Sequence, residues 1–337
     1  MIQAPIYIPR VANMPNLFWH PSVVFKSDGF GGHKWWMAQT PFSPKEMQPY
    51  TDRYEMPCIH YSDDGLRWYN ITNNPIDSLS KIDVEAHNYM SDPHLIYKDG
   101  KLECYYRKTF LSNKHLQGSK TLLLRKVSIN GFDWSEAEVI ADLSRKDDKT
   151  IWGNQIISQA IVWTGTKYLC WYVDASYYVK KRGVRMCSSV DGKHWTPYVQ
   201  CKLIGSENTP WHIDVQYYDG KYHMLSYTLD GGCVEHFLSS DGVNYDYNQT
   251  ILGRSNSIWS FYRAGLYRSC FVKFDKGIRV YFSAFDGEHS YIGCLESQDG
   301  DNYRLIGHVR NLTYWCSLIV YVAKKIRKKI IKLFTGK

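Results

Sequence analysis

Past Asn311 the chain has no acidic residue, yet seven of its 41 Lys and Arg lie there: Lys324, Lys325, Arg327, Lys328, Lys329, Lys332 and Lys337. Without those seven, the formal charge of +8 falls to +1. The body therefore lacks the basic surplus of a nucleic-acid surface, and no nucleic-acid partner is expected. The nine cysteines are odd in number and show no close pairing pattern. Most sit in apolar runs such as Leu169-Cys170-Trp171 and Gly293-Cys294-Leu295. That excludes a disulfide framework and predicts free buried thiols in a reducing compartment. No Cys/His cluster has zinc-ligand spacing, and the reading calls for neither metal nor cofactor. Residues 1–19 lack the charged start and long apolar stretch of a secretory signal, so a cytoplasmic location is expected. No apolar run is long enough to span a bilayer. Nor does any low-complexity linker divide residues 1–310.

What the chain has in plenty is aromatic residues, 15% of the total with 12 Trp and 27 Tyr. It also has one phrase repeated five times: Ser, any residue, Asp or Asn, Gly, two residues, then Trp or Tyr. The copies are Ser62 to Trp68, Ser128 to Trp134, Ser189 to Trp195, Ser239 to Tyr245 and Ser297 to Tyr303. A fixed turn at that period marks an array of small sheets. Asp-Gly or Asn-Gly supplies the positive φ of a tight hairpin, over which the aromatic packs. Upstream of each copy lie three apolar or aromatic strands broken by turns such as Asp28-Gly29, Asp99-Gly100, Gly165, Asp219-Gly220 and Lys276-Gly277. With one strand after the phrase, each unit is a four-stranded antiparallel blade. Five blades arranged radially form an all-β five-bladed propeller over residues 1–310. A pair of β-sandwiches would leave the shared turn unexplained. Ile6-Tyr7-Ile8 is expected to close the ring by adding a strand to the last blade.

Residues 311–337 form a separate basic, amphipathic tail. From Trp315 to Phe334 the positions Ile319, Val322, Ala323, Ile326, Ile330, Leu333 and Phe334 follow helical spacing, with basic residues between them. Such a helix suits the interface of an anionic membrane. A helix docked on the propeller is the alternative.

In a propeller the innermost strands line the axis, so the residues that open each unit's first strand matter most. They are His20, Asp92, Gln159, His212 with Asp214, and Arg263. Burying so many polar groups around one axis is costly unless they are paired or used. Glu55 is a further candidate carboxylate, as is Glu85. Trp152, Trp211 and Trp259 are candidate sugar platforms, with Trp35 and Trp36.

The five units, the Asp92-Pro93 opening the second blade and the Trp211-His212-Ile213-Asp214-Val215 opening the fourth resemble the five-bladed propeller glycosidases. These comprise the arabinanase/xylosidase, invertase and neoagarobiose-hydrolase types, with the related mannoside phosphorylases. The resemblance covers about residues 18–308. It implies carboxylates from different blades around a sugar, with Asp92 at the Asp-Pro position and Asp214 and His212 where the fourth blade supplies an acid. Two departures stand out. His20 occupies the first-blade Asp position, and Gln159 the third-blade acidic one. Either the acid/base pair has moved to Asp92 with Asp214 or His212, or hydrolysis is lost. The expected activity is a glycoside hydrolase with Asp92 and Asp214 as the carboxylates. His212 and His20 would assist proton transfer, and Arg263, Gln159, Glu55 and the tryptophans would bind substrate. A non-catalytic glycan-binding scaffold and a sugar transferase of surface-polysaccharide synthesis are the alternatives.

Overall fold

The computed structural model describes residues 4–12, 14, 17–41, 55–112, 115–174, 183–228, 232–255, 257–308 and 312–335. Five antiparallel sheets follow one another along the chain. The first is β1 (Trp19–Phe30), β2 (His33–Thr40), β3 (Cys58–Ser62) and β4 (Tyr69–Asn70). The second is β5 (Tyr89–Lys98), β6 (Lys101–Ser112), β7 (His115–Ser128) and β8 (Glu138–Asp142). The third is β9 (Ile157–Trp163), β10 (Tyr168–Asp174), β11 (Gly183–Ser189) and β12 (Val199–Gln200). The fourth holds β14 (Pro210–Tyr218), β15 (Lys221–Thr228), β16 (Cys233–Ser239) and β17 (Asn244–Leu252), with β13 (Lys202–Ile204) added parallel to β17. The last is β18 (Gly265–Phe274), β19 (Gly277–Phe285), β20 (Ser290–Ser297) and β21 (Arg304–Ile306). The first strands touch in a closed ring, β1 to β5 to β9 to β14 to β18 and back to β1. This is the expected five-bladed propeller, with a fifth strand in the fourth blade that the repeat pattern does not announce.

The repeated phrase is a self-contained turn between the third and fourth strands. Each Ser Oγ accepts from the Gly N–H three residues on, at 2.7–2.9 Å. Each Asp or Asn Oδ1 accepts from the two N–H groups beyond the Gly. The turn also joins neighbouring blades. Gly131, with φ +85°, lies against the Trp36 ring of the first blade, where a Cβ would come within 2.1 Å of a ring carbon. Likewise Trp171 Nε1 of the third blade donates to Gly242 O of the fourth at 2.7 Å. Glycine is thus needed there for both φ and close approach. The aromatic surplus is largely consumed in these seams. Trp36, Trp68, Trp152 and Trp171 are fully buried.

The ring closes differently from the expectation. Ile6 N–H does donate to Ile292 O of β20 at 3.1 Å, but Tyr7 forms an isolated parallel bridge with Arg67 of the first blade. The segment therefore staples the last blade to the first rather than extending one sheet.

Two short helices, α1 (Lys81–Glu85) and α2 (Lys146–Trp152), lie in connections, and α3 (Leu312–Thr335) follows the last blade. Tyr314 and Leu318 are buried against that blade, with Trp315 and Val322 packed beside them. Among the described residues no helix is long and apolar enough to cross a membrane. Eight of the nine cysteines are buried; Cys316, on α3, is exposed.

Candidate active site

All five first strands carry an irregularity at the same place near their start. The unpaired residues are His20-Pro21, Asp92-Pro93, Ser158-Gln159, Trp211 and Tyr267-Arg268. His20, Asp92 and Ser158 there have φ of 54°, 54° and 53°. A bulge re-aims a side chain and interrupts the ladder, and it is also where Pro, lacking an N–H, is tolerated. So the sequence uses Pro21 and Pro93 to mark the turn-in of His20 and Asp92 toward the axis.

Asp92 is the centre of the group and has no exposed surface. Its Oδ2 accepts from Arg107 Nε at 2.6 Å. Its Oδ1 faces His212 Nδ1 at 3.4 Å, Arg268 Nη1 at 3.5 Å and His20 Nε2 at 3.7 Å. Burial would raise its pKa, but Arg107, His20, His212 and Arg268 outweigh that and hold it well below the usual carboxylate range. His212 is itself held neutral. Burial, opposed by Asp92 and aided by His20 and Arg268, keeps its pKa well below 6.5.

The two imidazoles are prepared differently. His20 Nδ1 is hydrogen-bonded to Thr40 Oγ1 at 2.6 Å. With Nδ1–H donating, the Nε2 lone pair faces Asp92, as for a metal-ligating histidine. Among the described residues nothing hydrogen-bonds either ring nitrogen of His212, although the residue is 2% exposed. Native structures seldom leave such groups unsatisfied. One ligand atom each from His20, Asp92 and His212 lies within 4.8 Å of the other two. Two imidazoles and one ionised carboxylate fit a catalytic divalent cation of the zinc or non-haem iron type. Arg268, near the same carboxylate oxygen, opposes that cation, while Arg107 occupies only Oδ2. The absence of zinc-ligand spacing in the sequence concerned local clusters; this group is assembled from three blades.

Asp214 lies deeper. It sits two residues past His212 along β14, roughly 6–7 Å further from the strand's start. Its Oδ2 accepts from Phe271 N–H at 3.1 Å, and Oδ1 stands 3.5 Å from His94 Nδ1. Burial raises its pKa to about 7, and burial lowers that of His94 to about 3. Asp214 is thus outside the His20–Asp92–His212 group, although the Arg268 charge acts on both carboxylates.

The other expected residues scatter. Gln159 is buried; its Nε2 donates to Asp92 O, and its own carbonyl accepts from Arg268 Nη2 at 3.2 Å. Glu55 is buried, and its charge helps raise the pKa of Arg107 and Tyr267, placing it beside the group. Arg263 is engaged elsewhere, with Asp286 at 3.1 Å and over the Tyr321 ring of α3 at 3.8 Å. The arginine at the axis is Arg268. The dipeptide Tyr-Arg occurs at both 262–263 and 267–268, and only the second lies on the strand. Trp152 is buried against Tyr172 and Trp195, which leaves its ring no face for a sugar. Trp211 Nε1 donates to Tyr267 Oη at 3.0 Å, beside His212. Trp259 is 44% exposed on the approach to the last blade. Arg107, in the middle of β6, has no positional signal in the sequence.

No protein-family model matches the chain, and no curated protein matches it in sequence. Solved structures do share its shape. An N-acetylgalactosamine deacetylase from F. plautii, in complex with blood group B trisaccharide, superimposes with a TM-score of 0.67 at 19% identity, covering 87% of this chain and 92% of that one. The GH43_1 enzyme from Xanthomonas citri with xylose gives 0.62 at 12% identity, covering 91% and 93%. A GH43 β-xylosidase/α-arabinofuranosidase from a compost microbial metagenome, with xylotriose, gives 0.61 at 13%, covering 91% and 98%. The chain has the five-bladed propeller fold expected from the glycosidase resemblance, and it shares that fold with a sugar deacetylase as well as with GH43 enzymes.

Proposed function

We propose that this protein is a carbohydrate-active hydrolase whose centre is His20, Asp92 and His212, and that it removes an acyl group from a sugar. The observation that carries this is the convergence of three ligand atoms within 4.8 Å around an imidazole that, among the described residues, has neither nitrogen hydrogen-bonded. A divalent cation held there would acidify a bound water and polarise an acyl carbonyl. The protein's own residues supply the rest. Thr40 orients the His20 ring through its contact with Nδ1, and Arg107 holds Asp92 ionised and oriented. Burial keeps the Tyr267 phenol protonated beside His212, so its O–H can donate to the oxygen that gains charge. Water oxygen adds to the acyl carbon, the C–N or C–O bond to the sugar breaks, and the leaving atom takes the proton. Support for a carbohydrate substrate comes from the fold neighbours, whose complexes hold blood group B trisaccharide, xylose and xylotriose.

A second reading, glycoside hydrolysis by Asp92 and Asp214, is favoured by the raised pKa of Asp214, about 7, which suits a general acid. The depth of Asp214 and the double arginine contact of Asp92 weigh against it. Product analysis separates the two. The intact chain, offered acetylated amino-sugar oligosaccharides and aryl glycosides, is expected to release acetate, to stop on chelation and to recover with added Zn²⁺ or Mn²⁺. Release of reducing sugar that persists under chelation and is lost in Asp214→Asn would replace the first reading by the second.

A further inference from the structure

We infer that the exposed side of α3, with the rim beside it, is a docking surface for an anionic lipid bilayer. The helix has two apolar faces, and the propeller uses only one. Tyr314, Leu318 and Val322 pack on the last blade, and Tyr314 Oη donates to Trp259 O at 3.2 Å. Arg263 lies over Tyr321, and Lys324 pairs with Glu288 at 3.7 Å. Ile319, Ala323 and Ile326, at helical spacing i, i+4 and i+7, face away. Ile319 is 68% exposed and Ile326 53%. A soluble helix buries its one apolar stripe; a second, solvated stripe on a docked helix requires an occupant.

Charge identifies the occupant. The segment after Asn311 has seven basic residues and no acidic one, while the remaining chain is nearly neutral. Lys324, Lys325 and Arg327 are exposed on the same helix, with Arg327 next to the stripe. Apolar residues flanked by Lys and Arg match a bilayer surface with anionic headgroups, into which the stripe inserts while the basic residues stay at headgroup level. An independent feature adjoins it. Ile258 and Trp259 are 45% and 44% exposed on the segment that α3 contacts, and tryptophan favours the membrane interface. That segment and the Asp286–His289 turn lie where β18 starts and β19 ends, near the start of β1, where His20 contacts Ser283 and Tyr267. The bilayer would therefore face the axial mouth, and a substrate carried on a lipid would be within reach of it.

The test is co-sedimentation of the full chain with vesicles of pure phosphatidylcholine and of phosphatidylcholine with phosphatidylglycerol. Binding is expected on the anionic vesicles only, to fall with added salt, and to weaken at least about ten-fold in Ile319→Asp/Ile326→Asp and in Lys325→Glu/Arg327→Glu. Both pairs are exposed, so unchanged thermal unfolding verifies the fold of each variant. A folded chain that stays in the supernatant with anionic vesicles would overturn the inference. So would equal binding by the isoleucine variant, or a lipid-free dimer that this variant dissolves, which would assign the stripe to a second copy. None of these readouts depends on hydrolytic activity.

Discussion

Replacing His212 by leucine is expected to abolish turnover while leaving the fold as stable as before, or more so. Among the described residues both ring nitrogens of His212 are buried without a hydrogen bond, and an unsatisfied buried polar group costs about 1–3 kcal/mol. Leucine removes that cost and fills most of the same space against Tyr267 and Trp211. A residue kept for packing would behave in the opposite way, losing stability when shortened. A rise of roughly 1 kcal/mol in unfolding free energy with a rate loss beyond the ~10–100-fold typical of an outer metal partner is the signature of a site that trades stability for chemistry. Denaturant unfolding and single-turnover assays on the same preparation check it. Marked destabilisation with retained turnover would remove His212 from the site.

Asp92→Asn is expected to be costly to the fold itself. The carboxylate is the shared counter-ion of Arg107 and Arg268, and all three are buried. Asparagine keeps the shape but strands two guanidinium charges, and breaking a buried pair costs about 3–5 kcal/mol. Arg268→Met in the same chain should restore part of that loss, because it removes one stranded charge together with its unpaired Nε. Comparing the two single variants with the double variant measures the coupling between Asp92 and Arg268. Equal unfolding midpoints for wild type and Asp92→Asn would show that the arginines find their compensation elsewhere. The expected sign of the effect separates the two positions: a gain in stability for the His212 variant and a loss for the Asp92 variant.

The blades were legible because their turns are chemical. Ser, Asp or Asn, and Gly each make a defined bond in the phrase, so five copies fix five sheets and the place of each turn. The axial residues were legible where Pro marks the bulge, at His20-Pro21 and Asp92-Pro93. They were misread in the last blade, where Tyr-Arg occurs twice five residues apart and only register decides which pair turns inward. Arg107 lay beyond reach because a second-strand residue gains its role from a neighbour fifteen positions away in sequence. Trp152 shows the limit of composition: a tryptophan near a strand start resembles a sugar platform until burial places it in the core. The grouping of His20, Asp92 and His212, which could hold a metal ion, escaped because its members come from blades 1, 2 and 4 and share no local spacing. Asp214 was placed on the right strand, yet the bulge turns His212 toward Asp92 and leaves Asp214 a layer below.

The most direct test of the central claim is the metal content of the purified chain after equilibration with Zn²⁺ and removal of the excess, compared with that of His212→Leu. The account predicts one tightly held ion per wild-type chain and its loss in the variant, with the unfolding midpoint unchanged or raised. A wild-type chain that retains no ion, or a variant that retains it equally, would contradict a hydrolytic centre built on His20, Asp92 and His212.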